Sequence, residues 1–407
     1  MKGFLKVREE EEIQALFNRR IKPLGCEEIK IDQCWHRILA EDIFSPEDLP
    51  HFSKSVMDGY ALRAQDTFGA SETNPVILKV VGEVLMGEAP MISIQRNQAA
   101  RISTGGVLPQ GSNGVVMMEH TQLKGDEVTI YKALAPWGNV LRSGGDVSKG
   151  EKVLSKGIFL RAQDIGILVG LGIMSLKVYC QPKVAIISTG DEVVGPDIKP
   201  RLGQVRDINS YTLGAQVKGI GCVPVRLGIV KDDLSELVEK IDQGLKFCDL
   251  VLISGGSSIG FRDITLKAIG SFPNSQILAH GIAVKPGKPS IIARIQEKFV
   301  LGLPGHPVSS MVSFSLIAQK ILEGLMGSKT KPWERRLTVQ LTKPVVSSGR
   351  KEYVRVALRR KGNKLLAEPI LGESSMLSTM VKADGLISIP LGCEGMESGQ
   401  SVEVMLF

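Results

Sequence analysis

The run Ser254-Gly255-Gly256-Ser257-Ser258-Ile259-Gly260, followed by Asp263 and a helical stretch from Ile264, consists largely of residues small enough to let backbone N–H groups approach a ligand. At a helix start, where the helix dipole favours negative charge, such a run reads as an anion site. No Gly-Lys-Ser/Thr follows, and the glycine spacing is not that of a dinucleotide fingerprint, so neither a Walker loop nor a Rossmann loop is implied. A close-packing glycine turn would use the same residues. Ser188-Thr189-Gly190-Asp191-Glu192 sets hydroxyls and carboxylates at the end of an apolar run, where a solvated Gly-Asp turn is the alternative. Lys285-Pro286-Gly287-Lys288-Pro289 carries two ammonium groups on a loop stiffened by proline, suited to pyrophosphate or another oxyanion, or to a plain surface turn. In Gly302-Leu303-Pro304-Gly305-His306-Pro307 the single histidine sits in a rigid turn and reads as structural rather than catalytic.

Three further stretches set acid or base beside glycine: Ser55-Val56-Met57-Asp58-Gly59-Tyr60-Ala61, Arg101-Ile102-Ser103-Thr104-Gly105-Gly106, and Arg142-Ser143-Gly144-Gly145-Asp146. Each alone is ordinary turn chemistry.

The first group of loops needs strands to carry it, because ligands of open parallel sheets bind beyond the carboxyl ends of the strands. Apolar runs at Val184 to Ile187, Val225 to Val230, Leu250 to Ile253 and Phe299 to Leu303 alternate with helical patterns at Asn209 to Gly219 and Leu234 to Leu245, and a long helix follows from Val308 to about Met326. That rhythm predicts a layered α/β domain over 179–327. Upstream, Ile13, Leu16 and Phe17 fall at helical spacing, and a second helix-like stretch spans Cys34 to Asp42. Residues 46–142 hold short apolar runs broken by glycine and proline, which predicts a small β module; Asp164 to Leu171 looks helical again. The reading is therefore multidomain α+β and α/β: an elongated helical region (1–45 and 143–178) interrupted by an inserted all-β module, then the α/β domain, then a barrel-like β domain over 328–407.

Composition limits the alternatives. The chain has 407 residues, 43% hydrophobic and 23% charged, enough for two to four separate cores. The net charge of +7 comes from 50 basic and 43 acidic residues interspersed along the chain, without the stacking aromatics of a single-strand binder, so no nucleic-acid partner is expected. Acidic Glu9 to Glu12 stand where a signal peptide needs an apolar core, and Ile165 to Met174 is too short to span a bilayer, so no membrane role is expected and the cytoplasm is. Six scattered cysteines without a C-x-x-C pair suit reduced thiols.

Taken together, the motifs at 55–61, 142–146, 188–192, 254–263, 285–289 and Pro304-Gly305-His306-Pro307-Val308-Ser309 resemble the MoeA-type molybdopterin molybdenumtransferases, in that family's order and across nearly the whole chain. Departures are Ser257 and Ile259 where the family usually has valine, Phe261-Arg262 before the aspartate, and His306 where asparagine is common. The resemblance implies a homodimer whose site is shared between subunits, with a molybdopterin adenylyltransferase and a molybdoenzyme as partners. It implies that adenylylated molybdopterin and molybdate yield molybdenum cofactor and AMP, with Mg2+ assisting. Asp58, Asp146, Glu192 and Asp263 are then the expected catalytic carboxylates, with Glu192 and Asp263 nearest the metal. Thr104, Arg142, Ser188, Thr189, Gly190, Asp191, Gly255, Gly256, Ser257, Ser258, Lys285 and Lys288 are the expected substrate-binding residues. An ATP-using adenylyltransferase shares only the α/β domain type, and a non-catalytic scaffold of the same architecture is the other alternative.

Overall fold

The computed structural model describes residues 7–255, 259–330 and 335–407, with the side chains of 18–19 and 259–263 outside that description. The leading region is one body made from two pieces of chain. Cys26–Lys30 pairs antiparallel with Ser175–Tyr179, and Ile43–Phe44 with Lys152–Leu154, so residues on either side of the insertion share a core of Leu39, Leu160, Leu168 and Val178. The helices Glu10–Arg20 and Ala162–Gly170 form as the spacing predicts. Cys34 to Asp42, read as helical, is not. His36 has φ +62, and the backbone N–H groups of Leu39 and Tyr179 donate to Ile158 and Ile38 carbonyls instead of closing helical turns. Buried Ile38 and Leu39 satisfy a helical pattern, but the strands flanking the insertion claim their hydrogen bonds.

The inserted module is a six-stranded sheet in the order Gly114–Met117, Gly59–Leu62, Gln98–Ile102, Val76–Val84, Glu127–Ile130, Thr121–Lys124. Both faces are packed: Tyr60 and Leu62 point into one cluster and Ala61 into the other, as strand alternation requires. Gly59 has no substitute here, since a Cβ would stand 1.9 Å from the Val116 carbonyl oxygen on the neighbouring strand.

In the α/β domain the sheet order is Val223–Val230, Lys183–Thr189, Leu250–Ser254, Lys298–Leu303, Ile291–Ile295, Ser275–His280. The first four strands are parallel, Ile291–Ile295 runs against them and Ser275–His280 runs with them again, so the sheet is mixed where the rhythm suggested only parallel strands. A two-residue turn with Gln296 at φ +54 makes the reversal between Ile295 and Lys298. Ile186, Leu252 and Leu301 pack on helix Asn209–Gly219 and the helix that starts at Pro307, while Ile187, Val251 and Ile253 face the helices Leu234–Phe247 and Ile259–Gly270. The long helix is continuous from Pro307 to Leu325 but passes through a π segment, Phe314–Ala318.

The carboxyl-terminal strands close on themselves. Lys351–Lys361 pairs with both Lys364–Ile370 and Gly385–Ile389, Gly385–Ile389 with Ser401–Leu406, Ser401–Leu406 with Arg336–Leu341, and Arg336–Leu341 with Lys364–Ile370. Val284–Lys285 adds to this barrel from the α/β domain, and Tyr353 Oη donates to Glu10 Oε2 at 2.5 Å, tying on the first helix. Among the described residues no helix is long and apolar enough to cross a membrane.

Candidate active site

The register of the mixed sheet gathers the loops. Ser188 stands opposite Ser254, Ser254 opposite Leu303, Gly302 opposite Ile291, and Ile291 opposite His280. Two successive antiparallel pairings return Ser275–His280 to the direction of the parallel strands, so loop 281–290 leaves the sheet at the same edge as the loops after Thr189, Ser254 and Leu303. That edge is the carboxyl end, where this class of sheet binds ligands.

Its floor is polar and buried on the side of helix Asn209–Gly219. Ser188 Oγ donates to Asp207 Oδ1 at 2.8 Å, Ser210 N–H donates to the same oxygen at 3.1 Å, and Ser210 Oγ donates to Asp207 Oδ2 at 2.5 Å. Asn209 Nδ2 donates to Ser254 Oγ at 2.7 Å and to the Gly305 carbonyl at 2.8 Å. Six residues from four segments of chain are thereby tied in two sets, Ser188 with Asp207 and Ser210, and Asn209 with Ser254 and Gly305. Thr189, on the opposite face, is 2% exposed, and its Oγ1 has no partner among the described residues.

The rim is acidic. Gly190 takes φ +138, and a Cβ there would meet the Glu192 carboxylate at 2.6 Å, so glycine allows Glu192 to fold over the strand end. Asp232 N–H donates to Asp191 Oδ1 at 3.2 Å, and Lys231 Nζ donates to the Asp191 carbonyl at 3.0 Å. Partial burial of its carboxyl, then the charges of Asp191 and Glu192, push Asp232 above the usual carboxylate range, although the residue as a whole is exposed. Among the described residues no group of three or more His, Cys, Asp and Glu side chains is arranged to hold a metal ion. Magnesium asks for less: one or two protein carboxylates with water completing the shell, and mutual repulsion at Asp191, Glu192 and Asp232 is what a divalent cation relieves.

Gly255 is buried, with its N–H 3.5 Å from the Leu303 carbonyl. Gly256, Ser257 and Ser258 lie outside the described residues; Asp263 is in the helix Ile259–Gly270, and its side chain lies outside them too. Lys285 Nζ stands 2.8 Å from Glu352 Oε1 of the barrel, so this ammonium is shared with a carboxylate, while Lys288 is exposed. His306 Nδ1 is 2.9 Å from Ser374 Oγ.

A second cluster forms in the inserted module from the three stretches that carried no claim singly. Val140–Leu141 pairs with Lys54–Ser55, Ser55 N–H donates to the Gly106 carbonyl at 3.0 Å, and Gly105 N–H returns to Ser55 at 2.8 Å. Asp58 is exposed, and its Oδ1 accepts from the Thr104 N–H at 2.7 Å and the Thr104 hydroxyl at 3.0 Å. The backbone bond from Thr104, then the hydroxyl bond, hold the Asp58 carboxyl below the usual range. Arg142 lies 4.3 Å over the Trp137 ring. Gly144, at φ +68, and Asp146 donate backbone N–H groups to Pro50 and Leu49, which leaves the Asp146 carboxyl exposed. No hydrogen bond or ion pair among the described residues joins 53–146 to 183–327.

Asp207, Asn209, Ser210, Asp232 and Trp137 are additions to the residues that sequence reasoning named. Asp207-Ile208-Asn209-Ser210 was visible as a helix-start signal. Its acceptors and donors on Ser188 and Ser254 are 19 and 45 residues away, a separation that no local pattern reports.

The chain is similar to known proteins over nearly its whole length. Residues 7–172 match the MoeA N-terminal region (domain I and II), 185–324 a molybdopterin binding domain, and 338–407 the MoeA C-terminal region (domain IV). A molybdopterin biosynthesis protein of Methanocaldococcus jannaschii is 38% identical over 401 residues, covering 96% of this chain and 93% of that protein. A molybdopterin molybdenumtransferase of Nostoc sp. is 35% identical over 376 residues, covering 91% of this chain and 86% of its own. The crystal structure of the molybdopterin biosynthesis moeA protein of Pyrococcus horikoshii OT3 superposes with a TM-score of 0.87 at 31% identity, covering 99% and 100% of the two chains. With domain matches running from Val7 to Phe407 and relatives similar over nearly their whole lengths, the chain belongs to the MoeA family of molybdopterin molybdenumtransferases.

Proposed function

We propose that the substrate is adenylylated molybdopterin, that molybdate supplies the metal and AMP leaves, and that the reaction occupies a crevice between two copies of the chain. Insertion of molybdenum into molybdopterin is the activity of the family to which the enzyme belongs. The observation that carries the finer reading is the separation of two half-sites. One holds the buried polar floor and acidic rim of the α/β sheet; the other presents Asp58, Thr104, Arg142 and Asp146 with no bond to the first among the described residues. A site that needs both is completed by a partner subunit.

In this arrangement Ser188 and Ser254 of the floor, Thr189 on the opposite face and the Gly255 backbone position the pterin side, and Lys288 with Lys285 offsets charge on molybdate or diphosphate. Glu192, with Asp191 and Asp232 on the same rim, would hold a magnesium ion together with Asp263, the residue the family resemblance names and whose side chain lies outside the described residues; the ion would neutralise charge on the phosphoanhydride. Asp58 and Asp146 of the partner subunit orient the attacking oxygen, Asp58 kept ionised by its two bonds from Thr104. Free cysteines at all six positions fit a cytoplasmic enzyme.

The test is complementation. Asp58→Ala and Glu192→Ala chains, each inactive alone, should regain molybdate-dependent AMP release when refolded together into mixed dimers. No recovery in verified mixed dimers would mean that each chain holds its own complete site. ATP consumption in place of AMP release would return the adenylyltransferase reading.

A further inference from the structure

Asn209 is the most demanding polar side chain in the sheet-edge crevice. It opens the helix Asn209–Gly219, and only 9% of its surface is exposed. Its Nδ2 spends two hydrogens, on Ser254 Oγ at 2.7 Å and on the Gly305 carbonyl at 2.8 Å. The Gly305 oxygen can only accept, so the amide cannot turn over without setting oxygen against oxygen. Oδ1 is therefore fixed in place, buried, and without a donor among the described residues. Neighbouring hydroxyls do not answer it: Ser188 Oγ is committed to Asp207, Ser254 Oγ is already the amide's acceptor, and Thr189 is on the opposite face of the sheet.

A buried acceptor left unpaired costs free energy that a bound donor would recover. The position of this one matters, because Asn209 ties the strand end that begins the glycine-rich loop to the turn before the long helix. Both segments lie at the carboxyl edge, where a ligand of this sheet enters. We propose that Asn209 is a ligand-reading residue, its Oδ1 accepting a hydrogen bond from an amino group on the fused nitrogen heterocycle of the bound substrate. This rests on the pterin-nucleotide reading of the site. Such a substrate carries that chemistry twice, on its pterin and on its adenine, and either could supply the donor. An acceptor so placed rejects an oxo-substituted analogue, since two acceptors would face each other with no water between them.

The experiment is a protein-by-ligand cycle on the full chain, read by titration calorimetry. AMP is compared with purine riboside 5′-monophosphate, which lacks the amino group, and neopterin with a lumazine carrying the same side chain, which has an oxo group in its place. The wild-type protein is expected to prefer the amino-bearing member of one pair on the order of tenfold, and the pair showing this identifies the heterocycle. In Asn209→Ala that preference should collapse towards unity, whatever uniform weakening comes from losing the Ser254 and Gly305 links. Asn209→Gln, which keeps the amide but displaces its oxygen by a methylene, should lose much of it as well. Binding of both pairs without preference, or a preference undiminished in Asn209→Ala, overturns the inference. Should Asn209→Ala not fold, the wild-type ratios and Asn209→Gln decide. Wild-type protein that binds none of the four ligands overturns the pterin-nucleotide reading itself, and this inference with it.

Discussion

Replacing Asp207 should separate the structural work of the crevice floor from its chemistry. The side chain is 8% exposed and accepts from Ser188 Oγ, Ser210 N–H and Ser210 Oγ, so Asp207→Ala strands three donors in a region where Ser188 and Ser210 are 2% and 4% exposed. A hydrogen bond to a carboxylate contributes roughly 1.5–3 kcal/mol, and removing this one also recovers the cost of burying it, so the net loss is about 3–5 kcal/mol. Asp207→Asn loses far less, about 1 kcal/mol, because its carbonyl still accepts from Ser188 and the Ser210 N–H while the Ser210 hydroxyl rotates to accept from the new amide. A chain of several domains does not unfold in one step, so global melting is the wrong measurement. Native-state hydrogen exchange should show opening of the helix Asn209–Gly219 and the strand Lys183–Thr189 eased by that amount in Asp207→Ala, with the carboxyl-terminal barrel unchanged. Protection in Asp207→Ala within 1 kcal/mol of wild type, a threshold set by the estimate for the asparagine variant, would refute the reasoning that this carboxylate anchors the floor.

Thr104→Val removes one of two bonds that depress the Asp58 pKa, leaving the backbone bond. A depressed acid contributes stability above its unfolded pKa that is lost as pH falls through the folded value, so in the variant both this contribution and the acidic limb of the activity profile should move to higher pH; a profile that does not move counts against Asp58 acting as an ionised group. Asp232 is the opposite case: its raised pKa means that the ionised carboxyl opposes folding once pH rises above the value of an unfolded aspartate, about 3.9. Asp232→Asn should therefore raise the hydrogen-exchange protection of the strand Val223–Val230 in the metal-free protein at neutral pH and reduce the further protection given by magnesium. Gly190→Ala forces a side chain into φ +138 and against Glu192, which should cost about 1–3 kcal/mol and lower kcat more than stability alone explains; unchanged kcat would show that the position of Glu192 is not limiting.

Much of this molecule was legible in its residues because the relevant signals are short-ranged. A short apolar run over Val76 to Val81 marked the strand Val76–Val84, alternation over Tyr353 to Leu358 marked Lys351–Lys361, a helical pattern over Leu234 to Leu245 marked Leu234–Phe247, and the α/β rhythm showed where the carboxyl-end loops would fall. The motifs that carry Asp58, Asp146, Asp191, Glu192, Lys285 and Lys288 are contiguous strings, and a contiguous string needs no fold to be seen. Cys34 to Asp42 failed because two adjacent buried residues, Ile38 and Leu39, satisfy a helical period equally well when strands from beyond the insertion take their backbone groups. The antiparallel edge escaped for a related reason, since a strand's direction is set by its neighbours and not by its own pattern.

What only the tertiary structure decided is which groups face each other. Residue types declared that hydroxyls, carboxylates and ammonium groups stood at turns, but every decisive pairing spans tens of residues: Ser188 with Asp207, Asn209 with Ser254 and Gly305, Asp58 with Thr104, Lys285 with Glu352. Hydrogen bonds and charges act over a few ångströms in space, whereas a sequence orders residues along the chain, and sheet register is what converts one distance into the other.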